Sequence, residues 1–495
     1  MATLEQARQL VDTLSAELAR RTGDIRRHHD YYTGQHNLRF ASDEFADYFS
    51  KRYRGFADNW VQVVADAPVE RLTVTGIQAA GAEIADTDTW EVWQRNDLDS
   101  ESQLGFLSSV LGARTFMLVW GDPKNPDTPI VTFEDASSAI ILYEPGSRTR
   151  RRAAMKRWQD GFGEHATLYL PDEVWKFTRA PQNLIIKPPL LAAADEEVRP
   201  WMPRDVGDEP NPQRNPMGVV PMRELPNRPM LVDQPISDVA GTIAMQDVIN
   251  LLWAQLLTAS DYASLQQRIV LGADLPKMPI LDDNGQQVGV KPVALSKFIK
   301  ERVLWLEDPD AKVASWQAAD LKAFTDVIEV AVGHLAAQTR TPQHYLIGKM
   351  ANLSGDAMAA AETGVVKKAQ EKQLWYGAGI RGAAELIALA RGETAKARAM
   401  AAGRVLWADA ESRNIGQLTD SLLKLRQIGF PFQFLALRFG LTPTEVAQLV
   451  EMRESEAAMD PVNALMNQAN PAAGMGAGMA DAETGADAEQ DSEAA

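Results

Sequence analysis

A cluster of prolines divides the sequence into two parts with different patterns. Twelve of the 27 prolines lie between residues 181 and 235, in runs such as RPWMPRDVGDEPNPQRNPMGVVPMRELPNRP. Because proline lacks a backbone donor and fixes φ, this stretch can form neither a long helix nor a central strand. The cluster therefore marks a boundary in the chain.

The part before the boundary mixes helical and strand patterns. Apolar residues at spacings of three and four predict a first helix with one buried stripe, formed by Leu4, Ala7, Val11, Leu14 and Leu18. Ser42 precedes DEFADYF and predicts a helix start, because a serine at the N-cap accepts a bond from a free amide. DTDTWEVWQRNDLDSESQLGFLSSVLG predicts one more helix. Between residues 130 and 178 the period shifts to two, which predicts an antiparallel meander.

The part after the boundary is mostly helical. Ser237 is a candidate N-cap for a helix that is apolar around most of its circumference and must pack on several sides. Residues 318–338 predict a second helix, and residues 355–392 a third that is far longer than the average of about 12 residues. Glycines in this third helix predict a bend or close contacts with neighbours, at positions 364, 377, 379 and 382. The whole chain is therefore predicted to have an α+β fold.

Two stretches interrupt these helices. In KMPILDDNGQQVGVKPV, Asp283, Asn284 and Gly285 lie between two β-type runs, and the Asn-Gly pair predicts the turn of a β-hairpin. Residues 341–355, TPQHYLIGKMANLSG, lie between the second and third helices. Helix connections usually have about two to eight residues and are polar, so a longer and largely apolar connection indicates a function.

Composition excludes several classes of chemistry. The 495 residues include no cysteine, which excludes disulfides, thiolate nucleophiles and cysteine-based metal sites. Walker, GxGxxG, HExxH and GxSxG motifs are absent, the histidines are scattered, and no apolar run reaches the roughly 20 residues of a membrane helix. We therefore expect no cofactor, no metal site and no membrane partner. A carbohydrate-active enzyme with two catalytic carboxylates is one alternative, and a helical scaffold or adaptor is another.

Charge is unevenly distributed along the sequence. The net charge is −17, and no Lys or Arg follows Arg453, whereas Asp and Glu recur in an Ala/Gly-rich tail. Such a tail cannot bury enough apolar surface to offset its ordering entropy, so residues 467–495 are predicted to be disordered. The densest basic run extends from Arg148 to Arg157 and alternates like a strand. We interpret it as an exposed edge strand protected by charge, or as a strip that forms salt bridges between subunits.

Four stretches, in this order, support a resemblance to a known family. They are YYTGQHNLRFAS, FADNWVQVVADAPVERLTVTG, GVVPMRELPNRP and TPQHYLIGKMANLSGDAMAAAETGVVKKAQ. The sequence resembles the portal, or head-to-tail connector, proteins of long-tailed bacteriophages, most closely those of phages that infect actinobacteria. The resemblance extends over most of the chain, to about residue 450.

The resemblance implies a ring, usually of about twelve subunits, around a DNA channel at one vertex of the capsid. It divides the chain into eight parts. These are the wing with mixed α/β structure, 1–235; the first stem helix, 236–264; the clip with the hairpin, 265–317; the second stem helix, 318–338; the tunnel loop, 339–355; the long wing helix, 356–392; the crown helices, 393–466; and the disordered acidic tail, 467–495.

The resemblance also implies partners and a location. The partners would be further copies of the chain, double-stranded DNA, the terminase large subunit, a head completion (adaptor) protein, and the major capsid and scaffold proteins. The ring would serve genome packaging, retention and ejection. It would be assembled in the host cytoplasm and become part of the virion at the portal vertex. It would catalyse no reaction, because a separate motor hydrolyses ATP.

In this family the tunnel loop projects into the channel and narrows it around DNA. The resemblance assigns to this loop Gln343, His344, Tyr345, Leu346, Ile347, Lys349, Met350 and Asn352. The side chains of Tyr345, Leu346, Ile347 and Met350 would pack against neighbouring loops in the ring. Lys349 would place one cation per subunit near phosphate. The alternative is a loop folded under the long helix, with its apolar residues in the core of its own subunit.

Overall fold

The computed structural model describes residues 2–179, 200–207, 209–264, 268–271, 277–281, 287–292, 303–306, 320–347, 355–411, 415–441 and 443–459. The helices are α1 (Leu4–Tyr32), α2 (Asp43–Arg52), α3 (Trp60–Val69), α4 (Thr87–Arg95), α5 (Leu98–Gly112), α6 (Ile243–Ser264), α7 (Leu321–Thr339), α8 (Gln343–Ile347), α9 (Gly355–Ala390), α10 (Thr394–Ala401), α11 (Ile415–Gln427), α12 (Phe432–Phe439) and α13 (Pro443–Met459). The strands are β1 (Val74–Gln78), β2 (Arg114–Asp122), β3 (Asn125–Asp135), β4 (Ala139–Tyr143), β5 (Arg151–Gln159), β6 (Glu164–Tyr169), β7 (Glu173–Arg179), β8 (Met202–Pro203), β9 (Gln213–Arg214), β10 (Met222–Pro226), β11 (Arg268–Leu271), β12 (Lys277–Leu281), β13 (Gln287–Pro292), β14 (Val303–Leu306) and β15 (Arg404–Trp407). The α+β prediction is confirmed.

Helix α1 packs on an antiparallel sheet with strand order β4-β5-β6-β7-β8, in which β9 also pairs with β7. The predicted meander is confirmed from β4 to β7, which pair in sequence order. Residues 130–135, which were predicted to belong to it, instead lie in β3 and pair with β2 in another sheet. Most of the predicted α1 stripe is buried against this sheet, whereas Leu4 is 38% exposed. The Thr3 hydroxyl caps the helix by accepting the amide of Gln6. Ser42 caps α2 as predicted, because its hydroxyl accepts the amide of Phe45.

The basic run from Arg151 onward lies in β5, which pairs with β4 on one side and β6 on the other, whereas Arg148 and Arg150 precede the strand. The prediction of an exposed edge strand was therefore wrong. Arg151 Nη1 donates to Met222 O at 2.7 Å, and Lys156 Nζ lies 2.6 Å from Glu134 Oε1. Long basic side chains can keep their stems packed while their polar ends reach acceptors on neighbouring strands, so alternation of charge does not require an edge.

A second sheet, with order β10-β2-β3, lies under the long helix α9. Strand β10 comes from the proline-rich stretch and occupies the edge of this sheet, where proline is tolerated. The prediction that glycines in α9 mark close contacts is confirmed here. A Cβ on Gly379 would lie 2.7 Å from Glu224 O, and a Cβ on Gly382 would lie 2.6 Å from Arg223 Nε.

Two helix boundaries differ from the prediction. The single helix expected before the first sheet is split into α4 and α5 at Asp97, which has a positive φ of 52°. Helix α6 begins at Ile243, so Ser237 is not its N-cap. The Ser237 hydroxyl instead donates to Val110 O at 2.9 Å and accepts the amide of Val239. A tertiary bond thus competes with the capping role that the local sequence indicated.

Strands β12 and β13 pair in antiparallel register, with Leu281 opposite Gln287, which confirms the predicted hairpin. The turn residues Asp283, Asn284 and Gly285 lie outside the described residues. Strands β11 and β14 pair in parallel. The assignment of this region to a clip stays a prediction.

Helices α6 and α7 pack together as a pair. Their contact includes Ile249, Ile328 and Leu335, which are almost fully buried. None of the described helices has both the length and the apolar character needed to cross a membrane. The α6–α7 pair leads directly into the predicted tunnel loop.

Candidate functional site

The segment after α7 begins with a sharp change of direction. Arg340 ends the helix with a left-handed conformation at φ 56°, and the Thr341 amide donates to Ala336 O at 3.1 Å. The Thr339 hydroxyl donates to Leu335 O at 2.8 Å and so closes the last turn. Pro342 then starts the short helix α8, since the amide of Tyr345 donates to its carbonyl at 3.0 Å. The first part of the predicted loop is therefore helical.

The structure describes five of the residues assigned to the tunnel loop. Leu346 is 3% exposed and lies in the core between α6 and α7, and Ile347 packs against the same cluster. Leu346 thus belongs to the core of its own subunit, the alternative that the sequence left open. Gln343 is exposed. Lys349, Met350 and Asn352 lie outside the described residues, so the tunnel-loop assignment stays a prediction.

Arg71, at the end of α3, anchors α8 to the long helix. Its Nη2 donates to the Tyr345 hydroxyl at 2.8 Å and to Glu362 Oε2 at 3.1 Å, while Nη1 donates to Ala410 O at 2.7 Å. His344 Nε2 lies 3.9 Å from the other oxygen of Glu362. Burial opposes the charge of Arg71, but the bonds to Tyr345 and Glu362 outweigh it and raise the pKa of the guanidinium. This network fixes the start of the predicted loop.

We expect Arg71→Met to lower the free energy of unfolding by about 2 kcal/mol, because it leaves the half-buried Glu362 without its cation. The loss should appear first as faster hydrogen exchange in the amides of α8. A matched control is Lys424→Met, which breaks the exposed pair with Asp420 and should change stability by less than about 0.5 kcal/mol. Equal exchange rates in α8 for both variants would contradict an anchoring role.

A second network, made of Asp238, Lys368 and Lys372, lies where α6, α7 and α9 meet. The Asp238 carboxylate is fully buried, and its Oδ2 lies 3.0 Å from Lys368 Nζ and 2.8 Å from Lys372 Nζ. Lys368 Nζ also donates to Thr339 O at 3.5 Å, at the end of α7. Asn227 Nδ2 donates to the other oxygen of Asp238 at 3.0 Å and Asn227 Oδ1 accepts from Lys372.

Asp238 and Lys372 each shift the other's pKa toward the charged form. Burial alone would raise the pKa of Asp238, but the cations of Lys372 and Lys368 hold it well below its usual range. Burial lowers the pKa of Lys372 to about 8, although Asp238 opposes this effect. The single aspartate thus holds two buried cations. It links the segment that precedes α6 with the end of α7 and the middle of α9.

Sequence patterns did not single out these two networks. Asp238 lies more than 100 residues before Lys368 and Lys372 in the chain, so no local spacing reveals its contact with them. One signal was present. Lys368 and Lys372 are one turn apart in a helix whose flanking residues, such as Val366 and Ala369, are buried, which places two cations near an apolar face.

The chain matches a family model described as phage portal protein, SPP1 Gp6-like, over residues 12–459. This protein belongs to the phage portal protein family. The portal protein of Mycobacterium phage L5 is 27% identical over 336 residues, which cover 64% of this chain and 61% of that protein. The portal protein of Mycobacterium phage D29 is 26% identical over the same coverage. The match thus spans less than two thirds of these relatives, and it confirms the resemblance to portal proteins of actinobacterial phages.

Two solved structures with similarity to this chain are parts of gene transfer agent particles. One is described as the neck of an empty particle computed with C6 symmetry, with a TM-score of 0.40, 12% identity, and coverage of 85% of this chain and 94% of that one. Another is described as the neck of a native particle computed with C12 symmetry, with a TM-score of 0.37, 12% identity, and coverage of 82% and 95%.

Proposed function

We propose that copies of this chain close into a ring around a channel for double-stranded DNA at one vertex of a phage capsid. The observation that supports this proposal is the α6–α7 pair, which carries an uncovered apolar stripe on each helix in addition to the core between them. Membership of the portal family also supports it, since portal proteins are structural components and not enzymes.

The uncovered stripe on α7 repeats at spacings of four and three. It consists of Ala323, Val327, Val330, His334 and Ala337, which are exposed. Val327 is 52% and Val330 58% exposed. This spacing is the one that lets helices pack along a shared seam. The covered stripe, with Ile328 and Leu335, lies on a different side of the same helix.

Helix α6 has a smaller stripe, which is partly uncovered because its Leu251 is half-buried. Ala244, Val248, Leu251 and Gln255 follow one another at spacings of four, three and four, and Val248 is 39% exposed. The pair therefore offers two different apolar surfaces, one on each helix. Contact between the α7 stripe of one copy and the α6 stripe of the next is heterologous, and such contacts generate a ring when the rotation closes.

A third face of α7 fits the interior of such a ring. Lys322, Asp326 and Glu329 follow one another on this face, which has a net negative charge. An acidic lining repels the duplex from all sides and leaves it centred, whereas a basic lining would hold it through counterion release. Sparse cations such as Lys349 would then make weak, repeated phosphate contacts as DNA slides. The acidic face and the sparse cations together favour a conduit over a DNA-binding clamp.

The finer assignments rest on the family pattern. Residues 265–317 would form the clip that contacts the terminase large subunit and later the head completion protein. The wing would contact the major capsid and scaffold proteins, and the assembled ring would remain in the virion. Within the described residues, no observation favours the carbohydrate-active enzyme or the adaptor without a channel.

We expect Lys349→Ala to leave the ring intact while lowering the DNA packaged or retained per particle, because it removes one cation per subunit from the channel. DNA per particle can be measured by quantitative amplification on purified capsids. A matched control is Lys367→Ala, which removes the same charge from the exposed side of α9. A normal DNA content with Lys349→Ala, or an equal loss with the control, would contradict the assigned role.

Native mass spectrometry of the full chain tests the ring directly. The proposal predicts a closed oligomer of defined copy number at micromolar concentration, with a central hole in negative-stain images. A chain that stays monomeric, even when expressed together with capsid and scaffold proteins, would refute it.

A further inference from the structure

A cleft of about 600 Å³ lies between α1, strands β4 and β10, and α9, away from the α6–α7 pair. Six arginines line it: Arg21, Arg114, Arg148, Arg151, Arg223 and Arg381. The carboxylates in its lining belong to Glu17, Glu224 and Asp233, so the basic side chains are in excess.

Two of the three lining carboxylates, and one more beside the cleft, already have partners, whereas Asp233 is exposed to solvent. Glu224 accepts from the Tyr143 hydroxyl at 2.7 Å and lies 3.1 Å from Arg114 Nη1. Glu17 pairs with Arg20, and Glu385, beside the cleft, pairs with Arg223. These carboxylates are therefore not free to neutralise the remaining arginines.

Four of the arginines have no carboxylate partner within the described part of the chain. Arg21 Nη2 donates to Ala139 O at 3.2 Å, and its buried Nε has no partner. Arg148 and Arg151 donate to backbone carbonyls, of Met230 and Met222 respectively. No ion pair neutralises Arg381 among these residues, and its side chain is half-buried. The cleft thus presents cations that a bound anion would neutralise.

Burial makes the excess of positive charge in the cleft more unfavourable. Burial, together with the nearby charge of Arg114, lowers the pKa of Arg21 to about 10. Burial and the charge of Arg223 likewise lower the pKa of Arg151 to about 10. Both shifts have the same two causes: burial removes water from the guanidinium, and a second arginine nearby repels its charge. A carboxylate in the cleft would relieve both.

The cleft also has apolar walls. Met230 and Trp375 line it and are 43% and 41% exposed, and Leu231 and Val232 follow on the same loop with exposures of 86% and 94%. Its volume greatly exceeds that of an inorganic anion. A peptide that carries both apolar side chains and carboxylates matches these walls better than a small ion does.

This chain contains such a peptide. Residues 475–493 read MGAGMADAETGADAEQDSE, with two methionines followed by a series of carboxylates and no basic residue. Methionine packs well against aromatic rings such as that of Trp375. The structure describes the chain as far as Met459, and the residues beyond it extend to roughly 100 Å when stretched. The 15 residues between Met459 and the acidic segment can span about 50 Å.

We propose that the acidic segment 475–493 binds in this arginine cleft, with its methionines against Met230 and Trp375 and its carboxylates on the unpaired arginines. The proposal does not depend on the ring.

Cleavage of the tail by glutamyl endopeptidase in the full-length protein tests this contact. Bound glutamates are protected, so the cleavage rate follows the unbound fraction when exchange is fast. We expect Arg148→Glu combined with Arg381→Glu to raise the rate by about three- to tenfold at low salt. Salt should remove the difference, because it screens these ion pairs. Intact mass spectra identify the cut sites.

The matched control is Arg26→Glu combined with Arg39→Glu, which makes the same change in net charge at exposed positions outside the cleft. It should leave the cleavage rate unchanged. Equal rates for the wild type and the cleft variant would overturn the proposal, as would equal acceleration by the control.

Competition experiments separate the tail from other anions. An added peptide of residues 475–493 should release the tail and accelerate its cleavage, whereas the same peptide with Asn and Gln in place of its acids should not. Inorganic phosphate should act no more strongly than sodium chloride at equal ionic strength. Stronger displacement by phosphate would identify a small-anion site and overturn the proposal.

Discussion

The double substitution Val327→Asp, Val330→Asp is expected to abolish ring assembly while leaving the subunit folded. Both valines are more than half exposed in the single subunit, so aspartate at these positions stays hydrated there. In the ring they would be covered by α6 of the next copy. Each interface would then lose apolar burial and desolvate two carboxylates, a cost of at least about 2 kcal/mol that is repeated at every interface.

Native mass spectrometry measures the loss of the ring, and circular dichroism with thermal melting measures the fold. The matched control is Lys322→Asp, which also lowers the charge by two units but acts on the acidic face of α7. Its pair with Asp326 is exposed and contributes little to stability. Rings from the double valine variant, or loss of rings from the control, would show that the stripe is not the interface.

We expect Asp238→Ala to lower the free energy of unfolding by about 3 to 5 kcal/mol, which is typical when a buried charge loses its partner. The variant leaves Lys368 and Lys372 buried without an anion, at the point where α6, α7 and α9 meet. Chemical denaturation of the full chain measures the change. The control Asp233→Ala alters an exposed carboxylate five residues earlier and should change stability by less than about 0.5 kcal/mol.

The cost of Asp238→Ala should depend on pH. In the wild type, Lys372 has a folded pKa of about 8 and an ordinary value of 10.5, so its folded form binds fewer protons between these values. Stability from this group therefore rises with pH between about 8 and 10.5. Without Asp238 the folded pKa falls further, so the rise begins at lower pH and the cost of the substitution shrinks as pH increases.

A double-mutant cycle provides a second check on this network. If Asp238 stabilises mainly by neutralising buried lysine, then Lys372→Met should reduce the cost of Asp238→Ala. Additive effects of the two substitutions, or a cost of Asp238→Ala that does not vary with pH, would contradict the electrostatic account.

Local patterns predicted those features that local physics determines. The α1 stripe, the period-two meander, the hairpin and the long α9 follow from side-chain periodicity and turn chemistry. The glycines of α9 correctly indicated close packing, because a position without a side chain lets a neighbouring strand approach the helix backbone. These features depend on residues that are close together in the chain.

Other features depend on contacts between distant residues. Alternating charge in β5 does not reveal that β4 and β6 cover both its edges. Ser237 is a good capping residue, yet Val110 O, from a distant helix, accepts its hydroxyl. The sequence assigned Leu346 to a contact with a ring neighbour and kept its own core as the alternative. Only the packing of α6 and α7 around it distinguishes the two. Tertiary contacts of this kind leave no local signature.

An electron cryo-microscopy reconstruction of the assembled particle is the most direct test of the proposed channel. The proposal predicts an axial opening wide enough for a DNA duplex, walled by α6 and α7 from successive copies, with residues 348–354 directed toward the axis. A particle without an axial opening, or one with α7 on its outer rim, would contradict it.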